Sequence, residues 1–308
     1  MRLGVLANPG YAALEEVLAL LGRAADTLGV DVVVAEDVRP GLSGDSDSDG
    51  LGSELDGIDI LLTLGGDGTL LRGARIAGQR GFPVIGCNLG HLGFMTAVPV
   101  ERLEEALGRL VSGDYTEERR LALEVVVRRT PAVEEGREEA ARRHSTGDVQ
   151  DTPGPYYALN DAVVHKTGFA RLITLRVWVD DEEIGQYSAD GIVLSTATGS
   201  TAYSLSAGGP ILVPSLDAIV ATPISPHTLA VRPVVVSASS AITVELLTRT
   251  EETLVTVDGQ VGTHLSAGDR VRVARSPDPV RLIRMPDQNF FAVLRQKLRW
   301  GDVRPPRP

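Results

Sequence analysis

The chain changes character at Leu121, and that change constrains its fold more than any other feature. Before it, strand and helix signals alternate. Residues 3–7 form a short apolar run stopped by Asn8-Pro9-Gly10, and residues 12–28 place Leu14, Val17, Leu18, Leu21, Ala25 and Leu28 at helical spacing up to Gly29. Residues 30–35 are β-branched, 58–64 are apolar apart from Asp59 and Thr63, and 83–87 are apolar again. Strands buried on both faces and separated by helices predict a parallel sheet covered by helices. After Leu121 the segments 121–129, 172–180, 192–195, 231–237, 241–247, 253–257 and 270–274 are short, rich in Val, Ile and Thr, and divided by turn residues. That pattern predicts a second domain built mainly of β-sheet. Residues 289–300 return to helical spacing.

The expected organisation is an α/β domain over 1–118, an all-β, sandwich-like domain over 119–285, and a helix with a tail over 286–308. A chain of 308 residues exceeds the size at which one core stops growing, so two domains are expected. With 4% aromatic residues, the cores must be built from Val, Leu, Ile and Ala. The segments 41–57 and 131–155 lack periodicity and read as loops.

The formal charge of −11 argues against nucleic acid as a partner, because generic binding of that kind neutralises phosphates with basic side chains. Lys166 and Lys297 are the only lysines, so a phosphate-binding lysine would have to be one of them. Cys87 is the single cysteine, which excludes an internal disulfide and fits a reducing compartment. No run reaches the ~18 apolar residues of a membrane span, and the N-terminal apolar run is too short for a signal peptide. A cytoplasmic protein without a membrane partner is expected.

Chemistry concentrates at Leu64-Gly65-Gly66-Asp67-Gly68-Thr69-Leu70-Leu71, which follows a buried strand and opens a helix. Glycines tolerate positive φ and close approach of a ligand, and N–H groups at a helix start receive phosphate oxygens. Asp67 would then stand at the carboxyl end of a parallel strand, where open α/β sheets bind ligands. A carboxylate beside phosphates is repulsive unless it meets a metal ion or takes a proton from the nucleophile. The plain alternative is a tight turn whose Asp caps the helix. No Gly-Lys pair makes this a P-loop, and Leu71 stands where a dinucleotide fingerprint needs Gly or Ala.

The second cluster runs from Asp190 to Pro210 and includes Thr198-Gly199-Ser200-Thr201-Ala202-Tyr203-Ser204-Leu205-Ser206. This density of hydroxyls and glycines makes a poor core and a good polar lining for a nucleotide; the alternative is a Ser/Thr-rich connection between strands. Asn160-Asp161 at a strand edge suits a ribose diol or an Asx turn. Asp45, Asp47, Asp49 and Asp56 imitate the start of an EF-hand, but Gly52 and the missing bidentate Glu favour a solvated loop. His91, His144, His165, His227 and His264 have no zinc-type spacing, though His227 could lie near a phosphate.

Together these segments resemble the NAD kinase family. The resemblance rests on Gly65-Gly66-Asp67-Gly68-Thr69, Asn88-Leu89-Gly90-His91-Leu92-Gly93-Phe94, Leu159-Asn160-Asp161, Asp190 through Pro210, Pro226-His227-Thr228-Leu229 and Val257-Asp258-Gly259-Gln260. It implies an active site in a cleft between the two domains, with the final helix packing back on the first. Asp67 would be the general base on the adenosine 2′-hydroxyl of NAD, beside Gly66, Gly68 and Arg72. Asn160 and Asp161 would hold ribose hydroxyls or the adenine, and Thr201, Ala202, Tyr203, Ser204, Leu205 and Ser206 would line the adenine side. Arg171, Ser188, Asp190, His227 and Gln260 would complete the pocket, with Asp190 reaching a neighbouring subunit's ligand.

The resemblance further implies ATP or polyphosphate as phosphoryl donor, Mg²⁺ accompanying it, and a homodimer or homotetramer. Many members have Glu in place of Asp161, and some bacterial members have Arg in place of Ser188. The Gly-Gly-Asp-Gly-Thr loop is shared with diacylglycerol-type lipid kinases. A lipid kinase and a non-catalytic nucleotide sensor are therefore the rival expectations.

Overall fold

The computed structural model describes residues 1–35, 55–90, 93–96, 98–130, 154–168, 172–228, 230–249, 253–286 and 289–299. The EF-hand-like aspartates 45–49, residues 131–153 of the second loop segment, and Arg171 lie outside the described residues. The chain divides into two compact units, Met1–Arg119 with Val280–Pro308, and Arg120–Pro279.

The first unit is built on a sheet of β1 (Arg2–Ala7), β2 (Asp31–Val34), β3 (Ile60–Leu64), β4 (Val84–Asn88), β5 (Val98–Pro99), β6 (Thr116–Arg120) and β19 (Val280–Arg284). Its order is β2-β1-β3-β4-β19-β6, with β5 pairing β4. The pairs β1/β2, β1/β3, β3/β4 and β4/β19 are parallel, as the apolar runs require. Among the described residues, α1 (Leu14–Leu28), α2 (Asp67–Arg80) and α3 (Leu103–Ser112) join the strands. Each ends on a glycine in the left-handed region, Gly29, Gly81 and Gly113.

Helix α2 buries Leu70, Leu71, Gly73, Ala74, Ala77 and Gly78. Gly73 is pressed so closely on Thr63 that a Cβ there would collide with its methyl group. The fully buried Leu61, Leu64, Leu70 and Ile85 fix the start of α2 against the sheet, each contributing about 1.5–3 kcal/mol by leaving water.

Residues 280–285 were expected in the second domain, but the division falls between Pro279 and Val280. β19 adds to the parallel sheet through Leu282 opposite Val84, burying Val280, Leu282 and Ile283 there. The last helix, α5 (Phe290–Leu298), belongs to the same unit, burying Leu294 and placing the Lys297 ammonium 5.2 Å from the centre of the Phe94 ring.

The second unit holds two six-stranded antiparallel sheets. One contains β7 (Leu123–Arg128), β8 (Tyr156–Ala158), β10 (Ile173–Val179), β11 (Glu182–Ala189), β15 (Ile242–Leu246) and β18 (Arg270–Arg275), in the order β11-β10-β15-β18-β7-β8. The other contains β9 (Asp161–Lys166), β12 (Gly191–Thr196), β13 (Ala218–Ile224), β14 (Val234–Ser237), β16 (Thr253–Val257) and β17 (Val261–Leu265), in the order β14-β13-β12-β9-β16-β17. Leu123, Val125, Leu175, Val177, Val244 and Val273 from the first share one core with Val164, Ile192, Leu194, Ile219, Val255 and Val257 from the second. The expected sandwich is therefore present, filled by β-branched and leucine side chains with almost no aromatic contribution.

Candidate active site

In the first unit, β3 delivers the chain to Gly65-Gly66 at its carboxyl end, and α2 begins at Asp67. The glycines serve space and not dihedral freedom: none of Gly65, Gly66 and Gly68 has a positive φ. A Cβ on Gly65 would strike Thr69, whereas open space lies beside Gly66 and Gly68, so these two leave the backbone approachable.

Asp67 does not cap its own helix. Its carboxylate reaches to the segment after β4: Phe94 N–H donates to Oδ2 at 2.8 Å, while Met95 N–H and Thr96 N–H donate to Oδ1 at 3.2 and 3.0 Å. The Thr96 hydroxyl also donates to Oδ1, at 3.2 Å. Gly93 lies against this cluster, where an added Cβ would stand 2.5 Å from Asp67 Cγ. Arg72 follows one turn later on α2, half-buried; burial first, and the charge of Arg75 second, lower its pKa from the ordinary guanidinium value.

In the second unit the predicted residues fall into two groups. The first gathers at one end of β9 and β12. Thr196 N–H donates to Asn160 O at 2.9 Å, and Thr196 Oγ1 donates to Leu159 O at 2.6 Å while accepting from Gly199 N–H at 3.0 Å. Gly199 sits so tightly on Asn160 that a Cβ would come within 2.5 Å of its carbonyl carbon. Asn160 and Asp161 are both buried, and Asn160 Oδ1 has no hydrogen-bond partner. Burial, then the neighbouring Asp258, push the Asp161 carboxyl up to about 7. Gln260 belongs here too, its N–H donating to Val257 O in the turn between β16 and β17.

Beyond Thr196 the chain makes a 3₁₀ turn at Gly199–Thr201 and a one-turn helix, α4 (Tyr203–Ser206). Its hydroxyls are largely spent on its own shape. Ser200 Oγ donates to Ala197 O and accepts from Leu212 N–H, and Thr201 Oγ1 donates to Thr198 O. Ser204, expected to line the nucleotide, is fully buried with its hydroxyl 2.9 Å from Thr222 Oγ1, so its side chain supports the loop from inside. Tyr203 and Ser206 are exposed, and Thr201, Ala202 and Leu205 are half-buried.

The second group lies at the other end of the same strands. Ser195 is opposite Asp161 in the β9/β12 register and Gly191 is opposite His165. Asp190 therefore stands about 17 Å from Asp161 at ~3.3 Å per residue. Its carboxylate meets Lys166 Nζ at 2.7 Å, which assigns one of the two lysines to an ion pair. Ser188 O accepts from His227 N–H at 2.9 Å, and Ser188 Oγ lies 3.0 Å from Thr174 Oγ1. Asp190, Ser188 and His227 are thus near one another and remote from Asn160. Sequence reasoning gave no role to Asp258, Gly93 or Thr96. The Asp258-Gly259 pair between two β-rich runs is a hairpin signal, but nothing local marks contacts that span 27 to 29 residues, as those to Asp67 do.

Known proteins share this chain's sequence pattern and fold. The family model for the ATP-NAD kinase N-terminal domain matches residues 4–115, and that for the ATP-NAD kinase C-terminal domain matches residues 159–285. The chain belongs to the NAD kinase family. An NAD kinase of Gemmatimonas aurantiaca is 45% identical over 98% of this chain and 97% of its own. One from Solibacter usitatus is 39% identical over 97% of each chain. Among solved structures, yeast NADH kinase complexed with NADH superposes with a TM-score of 0.84, at 24% identity, over 100% of this chain and 90% of its own. An NAD kinase from Archaeoglobus fulgidus in complex with ATP gives 0.70, also at 24% identity, over 97% and 99%. These two establish the fold, and the closer sequence relatives establish the family.

Proposed function

We propose that the protein is an NAD kinase that transfers the γ-phosphoryl group of ATP to the 2′-hydroxyl of the adenosine ribose of NAD, giving NADP. The family membership carries the reaction class, and relatives matched over nearly their whole length do not favour a lipid kinase or a silent sensor. The observation that carries the chemistry is the Asp67 carboxylate, fixed at the end of a central parallel strand and at the start of α2.

In this reading the 2′-oxygen attacks the γ-phosphorus in line, the bond from phosphorus to the β-bridging oxygen breaks, ADP leaves, and the 2′-hydroxyl proton passes to Asp67. Three of its four donors, two amides and the Thr96 hydroxyl, fall on Oδ1, and one amide, Phe94 N–H, falls on Oδ2. A carboxylate oxygen accepts about two hydrogen bonds, so Oδ2 has room for the proton that a general base takes. Gly66, Gly68 and Arg72 are assigned to the phosphates, where positioning and charge neutralisation supply most of the rate.

NAD is assigned to Asn160, Asp161, Gln260 and the exposed part of Thr201–Ser206. Asn160 Oδ1, buried and without a partner, is suited to a ribose hydroxyl or an adenine amino donor. Ser188, Asp190 and His227, at the far end of the strands, suit the ligand of a neighbouring copy, consistent with a homodimer or homotetramer.

Among the described residues no cluster of three metal-ligating side chains exists, and Mg²⁺ is assigned to the donor's phosphates. Among the described residues no helix is long and apolar enough to cross a membrane; with the single cysteine, this supports a cytoplasmic site of action. The test is NADP formation by the purified protein from NAD with ATP or polyphosphate, with diacylglycerol offered in parallel. NADP with ATP is expected; phosphorylation of the lipid alone, or NAD binding without turnover, would refute the reading.

A further inference from the structure

Three consecutive amides converge on one side chain in the second unit. Leu159 N–H donates to Asp258 Oδ2 at 2.9 Å, and Asn160 N–H and Asp161 N–H donate to Asp258 Oδ1 at 2.8 and 3.1 Å. In return, Asp258 N–H donates to Asp161 O at 2.9 Å. The carboxylate is placed by a short turn between β16 and β17, in which Asp258 has φ 51° and Gly259 φ 65°. Asp258 belongs to the minority of non-glycine residues that accept this region, and Gly259 enters it without strain.

The consequence for the site is specific. Three amides pointing one way into a carboxylate form a nest, and a chain held so can take only one course from Leu159 to Asp161. That course turns the Asn160 and Asp161 side chains into the buried position where Asn160 Oδ1 is left without a partner. Gly199 and Thr196 close on the same two residues from β12's end through Asn160 O and Leu159 O.

We infer that Asp258 is a positioning residue for the kinase reaction: it touches neither substrate nor reacting atoms, but sets the geometry and charge of the Asn160-Asp161 pair that receives the ribose. The inference rests on the assignment of that pair to NAD. Asp258 has a second effect because its charge reaches Asp161. The ionisable neighbour acting on the Asp161 carboxyl is Asp258, secondary to burial. In the sheet register Ser195 on β12 faces Asp161 and Val257 on β16 faces the adjacent Ala162, and neither carries a charge.

The test measures steady-state NADP formation against pH for the wild type, Asp258→Asn and Gly259→Ala. Removing the charge while keeping the shape weakens the nest and relieves the repulsion on Asp161. Asp258→Asn is therefore expected to raise KM for NAD by roughly ten- to a hundredfold, with KM for ATP little changed. It also moves the acidic inflection of kcat/KM for NAD to lower pH. Gly259→Ala strains the same turn with the carboxylate intact, so KM for NAD rises and the inflection stays in place.

An Asp258→Asn enzyme with wild-type KM and an unmoved inflection overturns the inference. If that variant does not fold, Gly259→Ala decides: an unchanged KM for NAD sinks the proposal, and a raised one with unchanged KM for ATP supports it. An inactive wild type would instead defeat the NAD kinase reading, which separates the two failures.

Discussion

Replacing Gly93 by alanine tests the Asp67 cluster most directly. The added Cβ would lie 2.5 Å from Asp67 Cγ and closer still to Asp67 Oδ1 and Thr96 Oγ1. The atoms it meets are not free ends of flexible side chains. The carboxylate is tied by three amides and a hydroxyl, and Thr96 is buried at the turn toward β5. Either the 93–96 segment moves outward or the carboxylate rotates off it, and both break the cluster. Hydrogen bonds to a charged acceptor are worth about 1.5–3 kcal/mol each when buried, but Asp67 is half-exposed and water replaces part of the loss. A destabilisation of about 2–3 kcal/mol is therefore expected, within the range of a severe single substitution. The effect on turnover is larger in proportion, because a general base must be held at its place: kcat should fall about 10²- to 10³-fold. KM for NAD should change by less than about threefold, since Asn160 and Asp161, the residues proposed to hold NAD, are untouched. Coupled NADP formation and thermal denaturation read both quantities, with Thr96→Ser as a control that keeps the hydroxyl. A Gly93→Ala enzyme with kcat within about threefold of wild type would refute the claim that this cluster places the catalytic carboxylate.

Asp67→Asn keeps the volume and removes the proposed base, so turnover should fall about 10²- to 10⁴-fold while NAD binding by calorimetry persists; retained turnover would transfer the role elsewhere. The Asp161 carboxyl, raised to about 7 from an ordinary value near 3.8, makes the folded state hold a proton that the unfolded chain has already lost. Its contribution to stability is complete below about pH 4 and is lost as pH rises to about 7, so Asp161→Asn should flatten the fall in Tm over that window. Asp269 is fully buried, paired with Arg129 at 3.1 Å and accepting from Thr130 and Ser266 N–H. Asp269→Ala should cost about 3 kcal/mol or more in urea unfolding, because a cation and two amides lose their acceptor.

The sequence carries the fold in its periodicities. The apolar runs at 58–64 and 83–87 announced β3 and β4 because strands buried on both faces need no polar alternation. β19 was not recognised: Val280–Arg284 intersperses arginines with apolar residues, and nothing local says that a strand 196 residues after Val84 pairs with it. Local composition also marked the loops proposed for the site but did not reveal where their hydroxyls go. The Ser/Thr density of 195–206 looked like a ligand lining, yet Thr196, Ser200 and Ser204 use their hydroxyls to hold the loop itself. A hydroxyl's partner is decided by the backbone course around it, which composition does not encode.

Asp67 and Asp258 make the same point from opposite sides. In sequence they are alike, each an aspartate beside glycine at a strand's end, and in the structure each gathers three main-chain amides from a distant segment. What separates them is their surroundings. At Asp67 the Thr96 hydroxyl also donates, and the neighbouring Gly66 and Gly68 leave open space for an incoming group. At Asp258 the amides come from the very residues assigned to the ribose, so any proton or ligand taken by that carboxylate would dismantle the binding turn. In the proposed mechanism Asp67 takes its proton on Oδ2 and keeps its amides, whereas Asp258 is given only the positioning role. Thr96→Val carries that distinction to experiment: Oδ1 loses one of its three donors and Oδ2 is unchanged, so kcat should hold within about tenfold while the thermal midpoint drops, whereas a fall as deep as that of Asp67→Asn would mean that the hydroxyl itself conducts the proton.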